Sequence, residues 1–172
     1  METTDSDKHW YVVLTRTNSE RKVRDYFQLQ EVDTFLPVQN RVIEREGKRI
    51  ERERLLLPRM VFVHISRQEM AAVRSTLNVY DFLRDRSTGA PTCIPDAQMA
   101  DFRYMLDYSQ DQVILTGEPI PKGTRVVVAK GDLQGLRGEL VRYNNKYHIL
   151  VRIDMFGSAM VTIPASYVRK EK

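Results

Sequence analysis

The sequence predicts an α+β protein in two parts: an N-terminal antiparallel sheet with helices on one face, then a small five-stranded β-barrel. Residues 8–107 alternate between short apolar runs, typical of strands, and segments of helical period. Residues 121–170 instead carry β-branched residues at alternating positions, separated by turn-forming Gly and Asn. Residues 108–120 lack a sustained period and contain a glycine and a proline, and a second proline follows at residue 121, which predicts a linker between the two domains.

The first domain is predicted to begin with a strand at Trp10–Thr15, an apolar run of the length that a buried strand needs. A helix follows, and Asn18 or Ser19 is predicted to cap it by accepting a backbone N–H of the first turn. Residues 34–36 predict a second strand. It ends at Pro37, because proline has no N–H to give to a ladder.

The segment 41–54 is densely charged, and Gly47 lies in its middle. A helix there would leave few apolar residues to bury, so a hairpin with two polar strands is favoured, and its simplest interpretation is a solvated protrusion. Residues 55–65 form the longest apolar stretch and predict a central strand that is entered after Pro58. The remaining elements of this domain are predicted to be a helix at residues 68–76, a strand at 79–83 and a helix that opens at Pro95.

Composition limits the function classes. Of the 172 residues, 42% are hydrophobic, which is enough to bury a core in each of two small domains. The net charge is +4. Residues 121–172 hold ten Lys or Arg against four Asp or Glu, which is compatible with a nucleic-acid partner. Cys93 is the only cysteine, so no intrachain disulfide or Cys-based zinc site is expected. No nucleophile elbow or phosphate-binding loop is present, so we expect neither catalysis nor a cofactor.

Three segments resemble the NusG family of transcription elongation factors. WYVV at residues 10–13 resembles the opening strand of its N-terminal domain, and LPRMVFV at residues 57–63 resembles that domain's proline-led central strand. AKGDLQGLRGELV at residues 129–141 is similar to the core of the KOW motif, which implies a barrel of the SH3-like KOW type. The three segments occur in the family's order and spacing.

The chain departs from the family's general factor at two motifs. Arg59 and Met60 stand where that factor usually carries a glycine and an aromatic residue, and residues 131–133 replace a Gly-Pro-Phe turn. With the short length, these departures resemble the operon-specialised paralogues typified by RfaH, which some bacteria use on long surface-polysaccharide operons.

In one specialised relative the second domain forms a helical hairpin. The β-branched residues of segments 126–128, 149–153 and 161–163 favour strands in this chain. A helix over these residues would also contain the three glycines of segment 131–138, each of which destabilises a helix by ~1 kcal/mol relative to alanine. We therefore predict the barrel.

The resemblance implies a factor that binds elongating RNA polymerase and increases its processivity. It implies an apolar patch that lies on the polymerase clamp helices, at Leu14, Leu57, Pro58 and Met60. It also implies a face beside the first helix that contacts the non-template DNA strand of the transcription bubble, at Arg16, Ser19, Lys22 and Tyr26. The structural alternatives for these positions are ordinary core packing and a solvated helix face.

For the KOW loop, the resemblance implies contact with a small-subunit ribosomal protein or with the termination factor Rho, through Leu133, Leu136 and Phe156. Exposed leucines in a turn are costly unless a partner covers them. In the alternative, Leu133 folds back over the barrel mouth. The protein is expected to be a cytosolic monomer without a membrane span, and the alternative function is a ribosome-associated or RNA-binding KOW protein in which the barrel alone acts.

Overall fold

A computed structural model of the protein describes residues 7–172, and the chain divides into two compact units between Asp96 and Ala97. In the described part of the first unit the elements are β1 (His9–Thr15), α1 (Glu20–Leu29), β2 (Asp33–Phe35), β3 (Val38–Arg45), β4 (Lys48–Leu55), β5 (Met60–Ile65), α2 (Met70–Arg74), β6 (Val79–Phe82) and β7 (Cys93–Ile94). A short 3-10 turn leads into α2.

The main sheet of the first unit has the strand order β2-β5-β1-β6, and β7 also pairs with β1. Each of these pairs is antiparallel. One face of the sheet packs against α1 and α2, and the buried residues there include Tyr11, Val13, Val61 and Val63 of the strands and Val23, Phe27 and Val73 of the helices. The N-terminal antiparallel sheet with helices on one face is therefore confirmed.

The charged segment forms a two-stranded sheet of its own, as its glycine predicts. β3 and β4 pair without interruption from Val38 opposite Leu55 to Arg45 opposite Lys48. The turn consists of Glu46 and Gly47, with φ of 54° and 75°. Positive φ at both central residues is the geometry that matches the twist of a two-residue hairpin.

In the second unit the elements are α3 (Asp96–Tyr108), which begins on the last residue of the first unit, β8 (Ile114–Thr116), β9 (Thr124–Val128), β10 (Arg137–Tyr143), β11 (Lys146–Ile153), β12 (Gly157–Thr162) and β13 (Val168–Lys170). The strands form one antiparallel sheet in the order β13-β9-β10-β11-β12-β8. The five strands predicted for this part are β9 to β13, so a helical hairpin is wrong for these residues. Closure into an SH3-like barrel stays a prediction.

The sheet of the second unit also contains a strand that the sequence does not predict. β8 lies within residues 108–120, the predicted linker, and pairs with β12 from Ile114 opposite Met160 to Thr116 opposite Ser158. Three residues are too few to show a period, so only the ladder reveals the strand. The predicted division into domains at residues 8–107 and 121–170 stays a prediction.

Candidate functional site

The apolar residues predicted for the first unit lie around the end of β1 and the start of β5. Leu14 and Met60 are direct partners in the antiparallel ladder, and both are half-buried. The loop before β5 contributes Leu57, which is half-buried, and Pro58, which is exposed. The structure thus places these four predicted residues, here called the β1–β5 patch, in one region of the first unit.

The two strand residues of the β1–β5 patch, Leu14 and Met60, lie on the face of the sheet opposite α1. Val13 and Val61 belong to the buried cluster that packs against α1. Leu14 and Met60 follow Val13 and precede Val61, respectively, and successive side chains of a strand point to opposite faces. Leu14 and Met60 are therefore not part of the cluster that packs against α1. Ordinary core packing stays the structural alternative for these positions, because Val12 and Phe62 on the same face of the sheet are fully buried.

A charged cluster borders the patch on β6. Asp81 lies opposite Leu14 in the ladder, and its carboxylate is 3.3 Å from Arg84 Nη2 and 3.4 Å from Arg74 Nε. The hydrogen bond from Arg84 is the main cause that lowers the pKa of Asp81 below its ordinary value. The carboxylate is thus ionised at neutral pH, which gives the apolar patch a polar rim.

Glu20 fixes the loop that carries Pro58. Arg59 has a φ of 65°, a left-handed conformation that costs a non-glycine residue about 1–2 kcal/mol. Its N–H donates to Glu20 Oε1 at 2.8 Å, and its carbonyl accepts from the Thr15 N–H at 2.9 Å. The Glu20 side chain is buried, so it connects the start of α1 to the β1–β5 patch.

The sequence indicates Glu20 only as a favourable charge at a helix N-terminus. Its second role depends on a contact between residues 39 positions apart, which no local pattern reveals. The one available signal is Arg59, because it occupies the position where the NusG family's general factor usually carries a glycine.

The residues predicted to contact DNA lie at the start of α1 and along one of its sides. Lys22 and Tyr26 are four positions apart, so they are neighbours on the helix surface. Lys22 is exposed, and Tyr26 is 47% exposed. Arg16, in the turn before α1, is exposed too, and its N–H donates to the Asn78 carbonyl at 2.9 Å.

Ser19 does not reach that surface. Its side chain is buried, and its hydroxyl donates to the Thr17 carbonyl at 3.4 Å. Ser19 is the N-cap residue of α1, but its side chain makes no capping hydrogen bond. The predicted cap chemistry is therefore wrong, and among the predicted DNA contacts Ser19 alone lacks an accessible side chain.

Two exposed apolar side chains near Arg16 were not predicted. Leu77 is 83% exposed and Tyr80 is 72% exposed, and they flank Asn78, the residue that accepts the Arg16 N–H. The sequence gives them no distinguishing signal. Leu77 follows a helix and Tyr80 lies in a strand where the pairing with β1 is irregular, so the usual alternation does not predict its exposure.

In the second unit, Leu133 and Leu136 are buried, with 7% and 3% of their surfaces exposed. The expectation of exposed leucines at a loop tip is wrong. The turn folds back on β9, because the Val128 N–H donates to the Leu136 carbonyl at 2.9 Å and the Gly135 N–H donates to the Val128 carbonyl at 2.8 Å. Phe156 is half-buried in the turn before β12.

The part of the chain that the structure describes holds no group of three or more His, Cys, Asp or Glu side chains placed to share a metal ion. His148 is buried, with Nδ1 3.0 Å from the Lys146 carbonyl and Nε2 3.3 Å from the Thr162 hydroxyl. From residue 7 onward, no helix is both long enough and apolar enough to span a membrane.

Comparison with solved structures shows a related fold. The chain is similar to a structure described as domain interaction in Thermotoga maritima NusG, with a TM-score of 0.52, 19% identity, and coverage of 98% of this chain and 100% of that chain. It is also similar to conformation A of the MjSpt4:Spt5 complex, with a TM-score of 0.31, 14% identity, and coverage of 95% of this chain and 98% of that one. Conformation B gives a TM-score of 0.33, 14% identity, and coverage of 94% and 95%.

Among curated protein sequences, none matches this chain significantly. The family model described as transcription termination factor nusG matches residues 8–103. That match includes β1, α1, the loop held by Glu20 and all of β5, and it extends over more than half of the sequence. The chain belongs to the NusG family.

Proposed function

We propose that the protein is a transcription elongation factor that binds the clamp helices of elongating RNA polymerase and increases its processivity. Its family supports the transcriptional role. The observation that carries the assignment to a surface is the pairing of Leu14 with Met60, half-buried on the face away from α1. Met60 adds a flexible, polarizable side chain that suits an adaptable interface.

The face beside α1 is proposed to contact the non-template DNA strand. Arg16 and Lys22 supply exposed charges for phosphates. Tyr26, nearly half exposed, supplies an aromatic ring for an unstacked base, worth ~1–3 kcal/mol if it stacks. Tyr80 extends this proposal, because it is exposed on the strand that follows Asn78, the partner of Arg16.

The second unit is proposed to recruit a further partner, either a small-subunit ribosomal protein or Rho. Burial of Leu133 and Leu136 weakens the assignment of this contact to the KOW loop. Phe156 retains accessible surface and is the better candidate. The alternative function, a ribosome-associated or RNA-binding protein, would leave the β1–β5 patch without a role.

The proposal is tested by transcription with purified polymerase on a template with known pause sites. We expect the full chain to shorten pauses and to co-migrate with the elongation complex. If the protein sediments with ribosomal subunits and leaves both pausing and polymerase migration unchanged, the alternative is correct.

The departures at Arg59 and Met60 support the proposal that the protein acts on specific long operons, such as surface-polysaccharide loci. Uniform occupancy of all transcribed genes in a chromatin map would contradict this operon specificity.

Replacing Arg16 and Lys22 with alanine is expected to weaken contact with the non-template strand. Each lost phosphate contact on single-stranded DNA lowers the salt slope by ~0.7, so the double variant should lose about 1.4. The measurement is the affinity for a reconstituted elongation complex as a function of salt concentration.

The matched control replaces Arg142 and Lys146, an exposed Arg and Lys of the second unit. This control removes the same charge elsewhere and should keep the wild-type slope. An equal loss of slope in both double variants would show that net charge, and not the face beside α1, determines the affinity.

A further inference from the structure

The hairpin of β3 and β4 separates its charges onto two faces. Directly opposite residues in an antiparallel pair share a face, and successive residues alternate. The register therefore assigns every side chain of the hairpin to one of its two faces. One face, here called the basic face, consists of Gln39, Arg41, Ile43, Arg45, Lys48, Ile50, Arg52 and Arg54. The other, here called the acidic face, consists of Val38, Asn40, Val42, Glu44, Arg49, Glu51, Glu53 and Leu55.

The basic face contains cations that oppose each other directly. Arg41 lies opposite Arg52, and Arg45 lies opposite Lys48. All four are exposed, and none of them has a carboxylate partner within residues 7–172. Like charges in direct opposition destabilise a strand pair. An anionic partner on this face would relieve that repulsion.

The acidic face is the one turned toward α1. Glu53 Oε2 accepts from Arg21 Nε at 3.1 Å, which ties this face of the hairpin to the helix. The basic face is on the other side of the ribbon from this contact. It is therefore directed away from α1 and from the residues proposed to contact the non-template strand.

We propose that the basic face of this hairpin binds the phosphate backbone of double-helical DNA. The two cation pairs are separated by four residues, about 14 Å at the rise of a strand, with Ile43 and Ile50 paired between them. A two-stranded ribbon fits the major groove of B-form DNA, where cations at both ends can reach phosphates and the central isoleucines can contact thymine methyl groups.

The composition of the basic face favours a duplex over other nucleic acids. The face has no aromatic side chain, so it lacks the stacking platform with which proteins hold single strands. The deep, narrow major groove of an RNA helix does not admit a ribbon of this kind. The inference does not depend on polymerase binding, since none of the proposed contact residues belongs to the β1–β5 patch or to α1.

The test compares two arginines of β4 that differ in the face they occupy. Arg52 lies on the basic face and Arg49 on the acidic face, and both are exposed. Binding of the full chain to a random-sequence 20-base-pair duplex, about two helical turns, is measured by fluorescence anisotropy over a range of salt. Arg52→Ala should lower the salt slope by about 0.9 and the affinity roughly 8-fold at 0.1 M salt.

The double variant Arg41→Ala, Arg52→Ala should lose about 1.8 in slope and roughly 60-fold in affinity. Removing a like-charge pair does not threaten the hairpin, so this loss reports binding. Arg49→Ala should stay within about twofold of wild type. The Arg16 and Lys22 double variant should also keep its affinity for the duplex, which distinguishes this site from the proposed non-template contact.

Three results would overturn the proposal. The first is wild-type protein that does not bind the duplex. The second is an Arg49→Ala variant that loses as much affinity as Arg52→Ala, because net charge would then explain the binding. The third is tighter binding of single-stranded DNA or of an RNA duplex with the same dependence on Arg41 and Arg52.

Discussion

Met60→Asp is expected to abolish polymerase binding while leaving the first unit folded. The change places a charge in an apolar interface without a partner, which costs on the order of several kcal/mol. A loss of 4 kcal/mol corresponds to about 1,000-fold in affinity. Met60 is half-buried in the free protein, so the aspartate can reach water before binding but not in the complex.

The chain offers a matched control for this substitution. Met155 is 51% exposed in the second unit, and Met155→Asp introduces the same charge outside the β1–β5 patch. Thermal unfolding of both variants reports the fold, and co-migration with the elongation complex reports binding. Wild-type affinity of a folded Met60→Asp protein would remove this patch from the polymerase interface.

Much of the first unit follows from local sequence patterns. Strands β1 and β5 are apolar runs of suitable length, and α1 has its apolar residues at helical spacing, so each element has a signal in its own segment. The hairpin follows from Gly47, and because its loop has two residues, the register follows as well. Even the separation of charge onto two faces is therefore implicit in the sequence once the turn is located.

The parts that the sequence does not predict depend on distant contacts. Glu20 accepts the Arg59 N–H across 39 positions, and β8 is a strand only because β12 pairs with it. Leu133 is buried because the turn after β9 bonds back to that strand. In each case the local residues are compatible with several environments, and the tertiary structure selects one of them.

In the candidate functional site, too, the sequence predicts some features, and others depend on the tertiary structure. The NusG resemblance selects positions that the structure does bring together, as Leu14 and Met60 show by pairing directly. It cannot report exposure, which decides whether a residue can contact a partner. Ser19 is at a position that the resemblance assigns to DNA contact, and Leu133 is in the loop that it assigns to partner contact, but both side chains are buried in this chain.

Glu139→Gln is expected to destabilise the second unit by about 1–3 kcal/mol. The buried Glu139 carboxylate of β10 accepts from Arg152 Nε at 2.7 Å and Nη2 at 3.1 Å, and from the Gly123 N–H at 2.9 Å. Arg152 also donates to the Ile120 carbonyl at 2.9 Å. Glutamine keeps an acceptor for Gly123 but removes the charge that pairs with Arg152.

The loss should depend on pH in a definite direction. Burial alone would raise the pKa of Glu139, but the hydrogen bonds from Arg152 and Gly123 and the charge of Arg152 outweigh it and hold the pKa below the ordinary 4.5. As the pH falls from about 4.5 through the lowered pKa of Glu139, the unfolded chain binds more protons than the folded one. The free energy of unfolding therefore rises with pH over this interval. The contribution is fully present above pH 4.5 and is lost as the pH falls through the lowered pKa.

Urea unfolding of the full chain, followed through backbone amide signals of β10 to β12, measures this effect. The difference between wild type and Glu139→Gln should be constant near neutral pH and should shrink below about pH 4.5, because a protonated Glu139 also lacks the charge. Glu118→Gln, at an exposed position of the same unit, is the control and should match wild type throughout. A Glu139→Gln loss that persists unchanged in acid would show that packing, rather than the ion pair with Arg152, connects β10 to β11 at this point.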